Sequence, residues 1–452
     1  MVQPPDMAGV RDGAMRYIFH RVMRVASRLG WGLADQGISS LTNFALGIVV
    51  ARSLSPREFG AFSIAFGVYT TGLGLTRALT SEPLMVRFSA VSRDDWRVGA
   101  RAATGTAVLI GAAAGLACLV AGLALSAALA SVLLALGVCM PGLLLQDTWR
   151  YAFFSGGRGP SAFFNDVVWA VGLSVFMALL FATGRTSVGW LVLAWGGSGS
   201  VAGLAGMLQA GLIPALDRTA SWFREQRDLI PRFAGEFGVT TLAIQVSIFA
   251  IGAVAGLATV GAIRAGQLLL GPLNIIFLGV SLAALPEAVR LLQSSKERLR
   301  RACVVLSAGL AAAALGVGIV ASILPRRMGT ELLGQNWSLA KSVVVPLSIW
   351  MAAAGVILGA GIGLRAMAAA RRSLRARLMV APLAVTSAVV GAAVQGARGA
   401  AWGFAGAYAV GAFIWWWSFL RGLDEHDRGS AGPSEEVIEP DEFQVRDAGL
   451  GA

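Results

Sequence analysis

Apolar residues recur along this chain in blocks of about 20, the number that carries a helix across the hydrocarbon core of a bilayer. Such blocks lie near residues 31–52, 60–80, 102–124, 126–147, 163–184 and 188–213, and again near 233–254, 258–285, 302–324, 342–363, 378–396 and 401–421. The pattern predicts an all-α integral membrane protein with about 12 transmembrane helices.

The two sets of six are related. Asp35-Gln36-Gly37-Ile38-Ser39-Ser40-Leu41 aligns with Glu236-Phe237-Gly238-Val239-Thr240-Thr241-Leu242, and the same offset carries Gly60-Ala61 onto Gly261-Ala262. Near the ends of the second spans Pro83 falls opposite Pro286. Because six is even, both halves start on the same side of the membrane. The expected architecture is two parallel-repeat six-helix bundles around a central cavity, the arrangement in which transporters bind between halves that rock. The expected divisions are a basic cytoplasmic segment 1–30, an N-terminal bundle 31–214, a cytoplasmic linker 215–232, a C-terminal bundle 233–421 and an acidic, disordered cytoplasmic tail 422–452.

Charge sets the orientation. With the amino terminus inside, the outer loops receive only Arg52, Arg57, Arg185, Arg326, Arg327, Lys341 and Arg398 of the 37 basic residues. Arg77 and Arg264 fall inside spans, and every other lysine or arginine lies on an inner loop or tail. That bias is the positive-inside rule, and it puts both termini in the cytoplasm of a bacterial-type plasma membrane. The inner clusters Lys296 to Arg301 and Arg371 to Arg377 are either topological anchors or sites for anionic lipid head groups. Trp415, Trp416 and Trp417 read as an interfacial belt. The arginine-rich opening precedes its span without an A-x-A-like cleavage site, so no cleaved signal is expected. Its stretch Met15 to Leu29 is either a basic amphipathic surface helix or a disordered tail.

Composition agrees. Of 452 residues 56% are apolar and 14% charged, well below the usual quarter or so for a soluble chain. The 57 glycines suit close helix approach, and Gly355, Gly359 and Gly363 read as one such packing stripe. Cys118, Cys139 and Cys303 sit in apolar runs and read as core residues. With His20 and His426 the only histidines, no metal site is expected. The two lysines, Lys296 and Lys341, lie outside any glycine-rich phosphate loop, which excludes a nucleotide-hydrolysing motor. No cofactor is expected beyond a coupling H+ or Na+.

Polar residues inside apolar spans are the candidate chemistry, since a charge facing lipid costs about 2.5–3.5 kcal/mol or more. Asp35, Ser39 and Thr42 share one face of the first span, with Asn43 beside it. Asp35 either lines the cavity or holds a structural partner. Arg264, in Gly261-Ala-Ile-Arg-Ala-Gly-Gln267, either meets an anionic ligand with its planar fork of donors, or reaches the outer interface, or pairs with a carboxylate. Arg77 either lines the cavity or pairs with a carboxylate such as Glu82. Gln245 and Gln267 are further cavity candidates, and Asp35 and Glu236 are the ion-coupling candidates. Asp147, Asp166 and Glu287 lie close enough to inner loops to need no special role.

The stretch Ala34-Asp-Gln-Gly-Ile-Ser-Ser-Leu-Thr-Asn43, with Gly47-Ile-Val-Val-Ala-Arg-Ser-Leu-Ser-Pro-Arg-Glu-Phe-Gly-Ala-Phe62 after it, resembles the opening of bacterial polysaccharide flippases of the multidrug/oligosaccharidyl-lipid/polysaccharide exporter superfamily. Arg77-Ala-Leu-Thr-Ser-Glu-Pro83, Gly261 to Gln267 and Gly271-Pro272 extend the likeness. The resemblance implies a cavity that takes an isoprenyl-pyrophosphate-linked saccharide inside and releases it outside, with cavity arginines holding the pyrophosphate. Arg264 falls where the related peptidoglycan-precursor flippases carry such an arginine, although their spans beyond twelve are missing here. Implied partners are the lipid-linked saccharide, membrane lipids, and glycosyltransferases or a polysaccharide polymerase, with no nucleic acid. The alternatives are a cation-coupled drug or metabolite antiporter of the same fold and a membrane scaffold for glycan synthesis. No catalytic constellation is evident, so a transporter is expected and not an enzyme.

Overall fold

The computed structural model describes the backbone of residues 7–125 and 127–430, and side chains within 30–425 apart from those of 126, 240 and 282. Among the described residues the chain is helical, without strands. Of the tail expected over 422–452, residues 422–430 continue the last helix instead, and 431–452 lie outside the described residues, as do the side chains of 15–29, whose backbone is helical and runs unbroken into the first span.

The N-terminal lobe contains α1 (Met7–Ser53), α2 (Pro56–Thr76), α3 (Glu82–Phe88), α4 (Arg93–Ala124), α5 (Ala127–Ser155), α6 (Gly159–Ala182) and α7 (Val188–Ala210). A π turn, Arg77–Ser81, joins α2 to α3. The linker holds the short α8 (Thr219–Glu225). The C-terminal lobe contains α9 (Ile230–Phe237), α10 (Ala243–Ala255), α11 (Leu257–Leu269), α12 (Pro272–Ser294), α13 (Lys296–Ile323), α14 (Arg326–Leu333), α15 (Trp337–Ala366) and α16 (Ala370–Ser430). Ten helical stretches are long and apolar enough to cross a membrane. Since α16 breaks at Gln395 and Gly396 into two arms, and α9 continues through a second π turn into α10, the described chain makes twelve crossings. It is a multi-pass membrane protein.

The breaks follow the sequence. Ser55 caps α2 in a capping box with Glu58, and Pro56 occupies the first turn, where its missing N–H is harmless. Pro272 starts α12 and separates it from α11. Gly396 has φ +59°, a left-handed value that glycine adopts without steric cost. Each lobe then packs around a core, the first one continuing across the seam to Ala265, Leu268, Trp337 and Ala340. Phe59, Phe62, Leu136, Leu143 and Trp195 anchor the first, with Tyr69 edge-on to Trp195 at 4.9 Å. The stripe Gly355, Gly359 and Gly363 lets α15 approach Leu310 and Ser307 of α13 and Phe419 of α16. All three cysteines are buried. Trp415 and Trp416 face inward, Trp415 in the core and Trp416 donating to the Val356 carbonyl; only Trp417 is exposed as the belt reading required. The linker is docked on the N-terminal lobe: Trp222 is buried and donates to the Leu79 carbonyl at 2.9 Å, and Arg87 binds Asp228 at 2.6 Å.

The repeat-related glycines meet. A methyl group at Gly60 would lie 1.8 Å from the Leu257 carbonyl oxygen, and one at Gly261 would lie 2.5 Å from the Pro56 carbonyl oxygen. The pair therefore marks a close crossing of α2 and α11 between the lobes, on the side of the α1–α2 turn. There Asn336, fully buried, donates to the carbonyls of Ala51 and Leu54 at 2.7 and 2.9 Å. It satisfies the end of α1 from the opposite lobe. Asn336→Ala strips both carbonyls of their partner, at about 1–3 kcal/mol, and is expected to loosen this seal. A cysteine at position 54, buried in the parent, should then label several-fold faster with a membrane-impermeant maleimide; unchanged labelling would remove Asn336 from the seal.

Candidate functional site

Between the lobes lies a cavity of about 790 Å³, walled by α1, α2, α11, α12 and α15. One face of α1 gives it Gln36, Ser39, Ser40 and Asn43; α11 gives Arg264 and Gln267; α12 gives Asn274. Leu33, Phe44, Phe66, Ile275 and Trp350 supply the apolar wall. The wall is thus mixed: amide and hydroxyl groups on one side, apolar and aromatic surface on the other, and one cation. Gln36 donates to Ser40 at 3.1 Å, one helical turn on, and Asn43 donates to the Ser39 carbonyl at 2.9 Å.

Arg264 is the cation. Its guanidinium lies 4.6 Å from the centre of the Phe66 ring across the lobe seam, and among the described residues no carboxylate or other hydrogen-bond acceptor reaches it. A cation–π contact is worth about 2 kcal/mol when desolvated, and it leaves all five N–H donors unused. Leaving a charge uncompensated in a partly dry site costs several kcal/mol. That fork could receive an anion with more than one oxygen. Arg264 faces the cavity and does not extend to the outer interface.

The other embedded charges are already engaged. Arg77, at the start of the π turn, holds the buried Asp147 through two bonds, Nε to Oδ2 at 2.8 Å and Nη2 to Oδ1 at 2.6 Å, with its guanidinium 5.3 Å from the Tyr151 ring. Its carboxylate partner is Asp147, not Glu82, and it is absent from the cavity wall. Asp35 is 0% exposed and points into the N-terminal lobe, where Arg150 Nε reaches its Oδ2 at 2.5 Å. Arg150 lies 3.6 Å from Asp166, which accepts from Gln146 at 2.8 Å. Asn165 bonds Gln209 and the Ala202 carbonyl beside them. The sequence reading gave Asp147 and Asp166 no special role and put Arg150 on an inner loop. Instead all three lie in the helical bundle, because α5 runs on to Ser155 and α6 starts at Gly159. Arg150 also touches Gln36 at 3.3 Å, so the buried network abuts the cavity wall.

Of the remaining candidates, Ser39, Asn43 and Gln267 join Arg264 at the cavity. Gln245 lies on α10 against Gly67 of α2, off that wall. Glu236 is exposed on α9, close to the Glu82 carboxylate. Gln36, Ser40 and Asn274 are cavity residues the sequence reading did not single out; for Gln36 and Ser40 the signal was available, since 36, 40 and 43 follow helical spacing on a polar stripe. Gln267 and Trp350 also line a second, more apolar pocket of about 250 Å³ inside the C-terminal lobe, with Phe404, Tyr408 and Trp415 around it.

The sequence matches no protein-family model and no curated protein. Solved structures do share the fold. A multidrug resistance MATE family transporter of the MOP superfamily, in an inward-facing conformation, superposes with a TM-score of 0.66 at 15% identity, over 87% of this chain and 96% of that one. The lipid II flippase MurJ, in an inward closed conformation, gives 0.66 at 10% identity, over 89% and 90%. An outward-facing MATE family transporter of the same superfamily gives 0.53 at 14% identity, over 89% and 96%.

Proposed function

We propose that this chain is a flippase of that superfamily, moving an isoprenyl-pyrophosphate-linked oligosaccharide or a similar polysaccharide precursor across the plasma membrane by alternating access. The observation that carries the proposal is the guanidinium of Arg264, held in the interlobe cavity without a counter-ion. A diphosphate supplies the charge and oxygens that fork accepts. Gln36, Ser39, Ser40, Asn43, Gln267 and Asn274 offer the donors and acceptors that sugar hydroxyls need, and the apolar wall suits the lipid. Among the described residues no clustered acid and base faces the cavity, and the fold shared with transporters favours transport without bond breaking. The charge bias of the loops supports both termini in the cytoplasm, and the closed seam at Asn336 and Gly60 would then be the outer gate. Glycosyltransferases and a polysaccharide polymerase are the partners such cargo implies.

A cation-coupled drug antiporter is the second reading. It is favoured by the fold shared with a multidrug transporter and by the carboxylates of Asp35 and Asp166, which outnumber the Arg150 guanidinium between them. A cationic drug, however, would meet Arg264 in the cavity, where like charges repel. Asp35, Asp166 and Glu236 fit better as groups that tie a proton or sodium ion to the lobe motion.

Reconstitution separates the two. The protein in liposomes should expose a fluorescent isoprenyl-diphosphate-linked saccharide to an impermeant quencher, and should give no organic-cation efflux under a proton or sodium gradient. Gradient-driven efflux without movement of the lipid would reverse the ranking.

A further inference from the structure

Away from the interlobe cavity, the inner ends of the two arms of α16 enclose a groove of about 520 Å³. Arg372 and Arg375 come from the first arm, and Trp417, Arg421 and Glu425 from the second. The sequence places the two arms' contributions more than 40 residues apart, so only folding assembles them. Arg372 is committed to Glu425. Arg421 lies flat on Trp417 at 4.1 Å. Neither Arg421 nor the exposed Arg375 has a carboxylate partner among the described residues.

Directly beside these guanidiniums the wall turns apolar. Leu378, Met379 and Trp417 are 52%, 60% and 46% exposed, and they sit on arms that run into the membrane. The groove therefore offers cationic donors at the membrane boundary and an apolar shoulder that starts one turn deeper. That order of chemistry matches one molecule: a phospholipid whose phosphate lies at the interface and whose chains descend from it. A soluble anion would use the arginines and leave the shoulder bare. A zwitterionic lipid would bring its own cation against the three arginines, which a single acid does not balance.

We propose that this groove is a binding site for an anionic phospholipid of the leaflet facing the inner loops, with the phosphate between Arg375 and Arg421 and one chain along Leu378, Met379 and Trp417. The stacked Trp417 holds the Arg421 fork in place, so that little side-chain freedom is lost on binding. Because α16 closes the C-terminal lobe, the lipid would tie the two arms at their inner ends. The site is independent of the cargo in the central cavity, and its failure would leave the flippase reading untouched.

The test is lipid retention by the full chain in zwitterionic nanodiscs, titrated with dioleoyl-phosphatidylglycerol and read by native mass spectrometry. The parent should retain one phosphatidylglycerol more tightly than added phosphatidylcholine. Arg375→Gln with Arg421→Gln should weaken it about thirtyfold, from two interfacial charges. Glu425→Gln, which removes the only acid among the described residues of the groove, should strengthen it, an effect that damage to the fold would not produce. Arg298→Gln with Arg300→Gln, at the start of α13, should leave it unchanged, as should competing inorganic phosphate. No preference for the anionic lipid, equal loss on changing Arg298 and Arg300, or displacement by inorganic phosphate would each overturn the assignment.

Discussion

Arg264→Gln is expected to lower translocation of an isoprenyl-diphosphate-linked saccharide about a hundredfold while the protein reaches the membrane at its normal level. The size follows from chemistry. A bidentate guanidinium–phosphate contact comprises two charge-assisted hydrogen bonds of about 1.5–3 kcal/mol each, and about 2.8 kcal/mol is already two orders of magnitude. Lysine keeps the charge but loses the planar fork, so Arg264→Lys should be intermediate. A second signature accompanies the first. In the structure Arg264 rests on the Phe66 ring without a counter-ion, which costs stability in the absence of cargo. Removing the charge should therefore raise the melting temperature of the purified protein as it removes transport. Undiminished transport by Arg264→Gln in liposomes would exclude the residue from the mechanism. A lower melting temperature would mean that Arg264 has a structural partner after all.

The opposite pattern is expected of Asp35. Its carboxylate is fully buried against Arg150, and removing it costs Arg150 its shorter charge-assisted hydrogen bond, about 1.5–3 kcal/mol, although Asp166 stays 3.6 Å away. Asp35→Ala should thus reduce the yield of folded protein and lower its melting temperature by several degrees. Asp35→Asn, which keeps the shape and one acceptor, should lose less. Arg77→Ala leaves the buried Asp147 without its ion-pair partner, at about 3–5 kcal/mol, and should cost more than Asp35→Ala. If Asp35→Asn is fully stable yet inactive, the pair is a working part of ion coupling and not chiefly a brace of the lobe. Thermal unfolding in detergent, measured beside vesicle transport, distinguishes the two outcomes.

The contrast between these residues shows how far the sequence could be read. The crossings were legible because lipid demands a run of about 20 apolar residues and little else satisfies it. The pairing of Gly60 with Gly261 was legible as a repeat, although nothing in the repeat said that the two glycines touch. Arg264 stood out because a charge interrupts an apolar span, where lipid penalises it. Arg150, Asp147 and Asp166 did not stand out, for a physical reason. Arg77 neutralises Asp147, and Arg150 lies between Asp35 and Asp166, which lets α5 and α6 extend beyond the point where hydropathy ends the span. A clue was present in the close spacing of Gln146, Asp147 and Arg150 on one helix and Asn165 and Asp166 on the next, too many polar groups for ordinary loop ends. For Asn336 there was no such clue. Its role depends on two carbonyls almost 300 residues earlier, and one amide in a short polar turn carries no pattern.

Arg77 and Asp35 were read as standing between cavity and brace, and only the fold could decide, since the same residue on the same helix face serves either depending on what the next helix presents. The cavity face of α1 turned out to be Gln36, Ser40 and Asn43 with Ser39, one residue round from Asp35. Rotations of about 40° to 140° along a helix thus separate Asp35, paired inside the lobe, from the polar residues of α1 that line the cavity.

The central claim is that the cavity arginine meets a diphosphate, and equilibrium binding of a radiolabelled isoprenyl diphosphate to the purified full chain tests it most directly. The account predicts saturable binding at one site, displaced by unlabelled isoprenyl diphosphate but not by organic cations, and weakened tenfold or more by Arg264→Gln. Equal binding by the parent and Arg264→Gln, or displacement by organic cations alone, would contradict it.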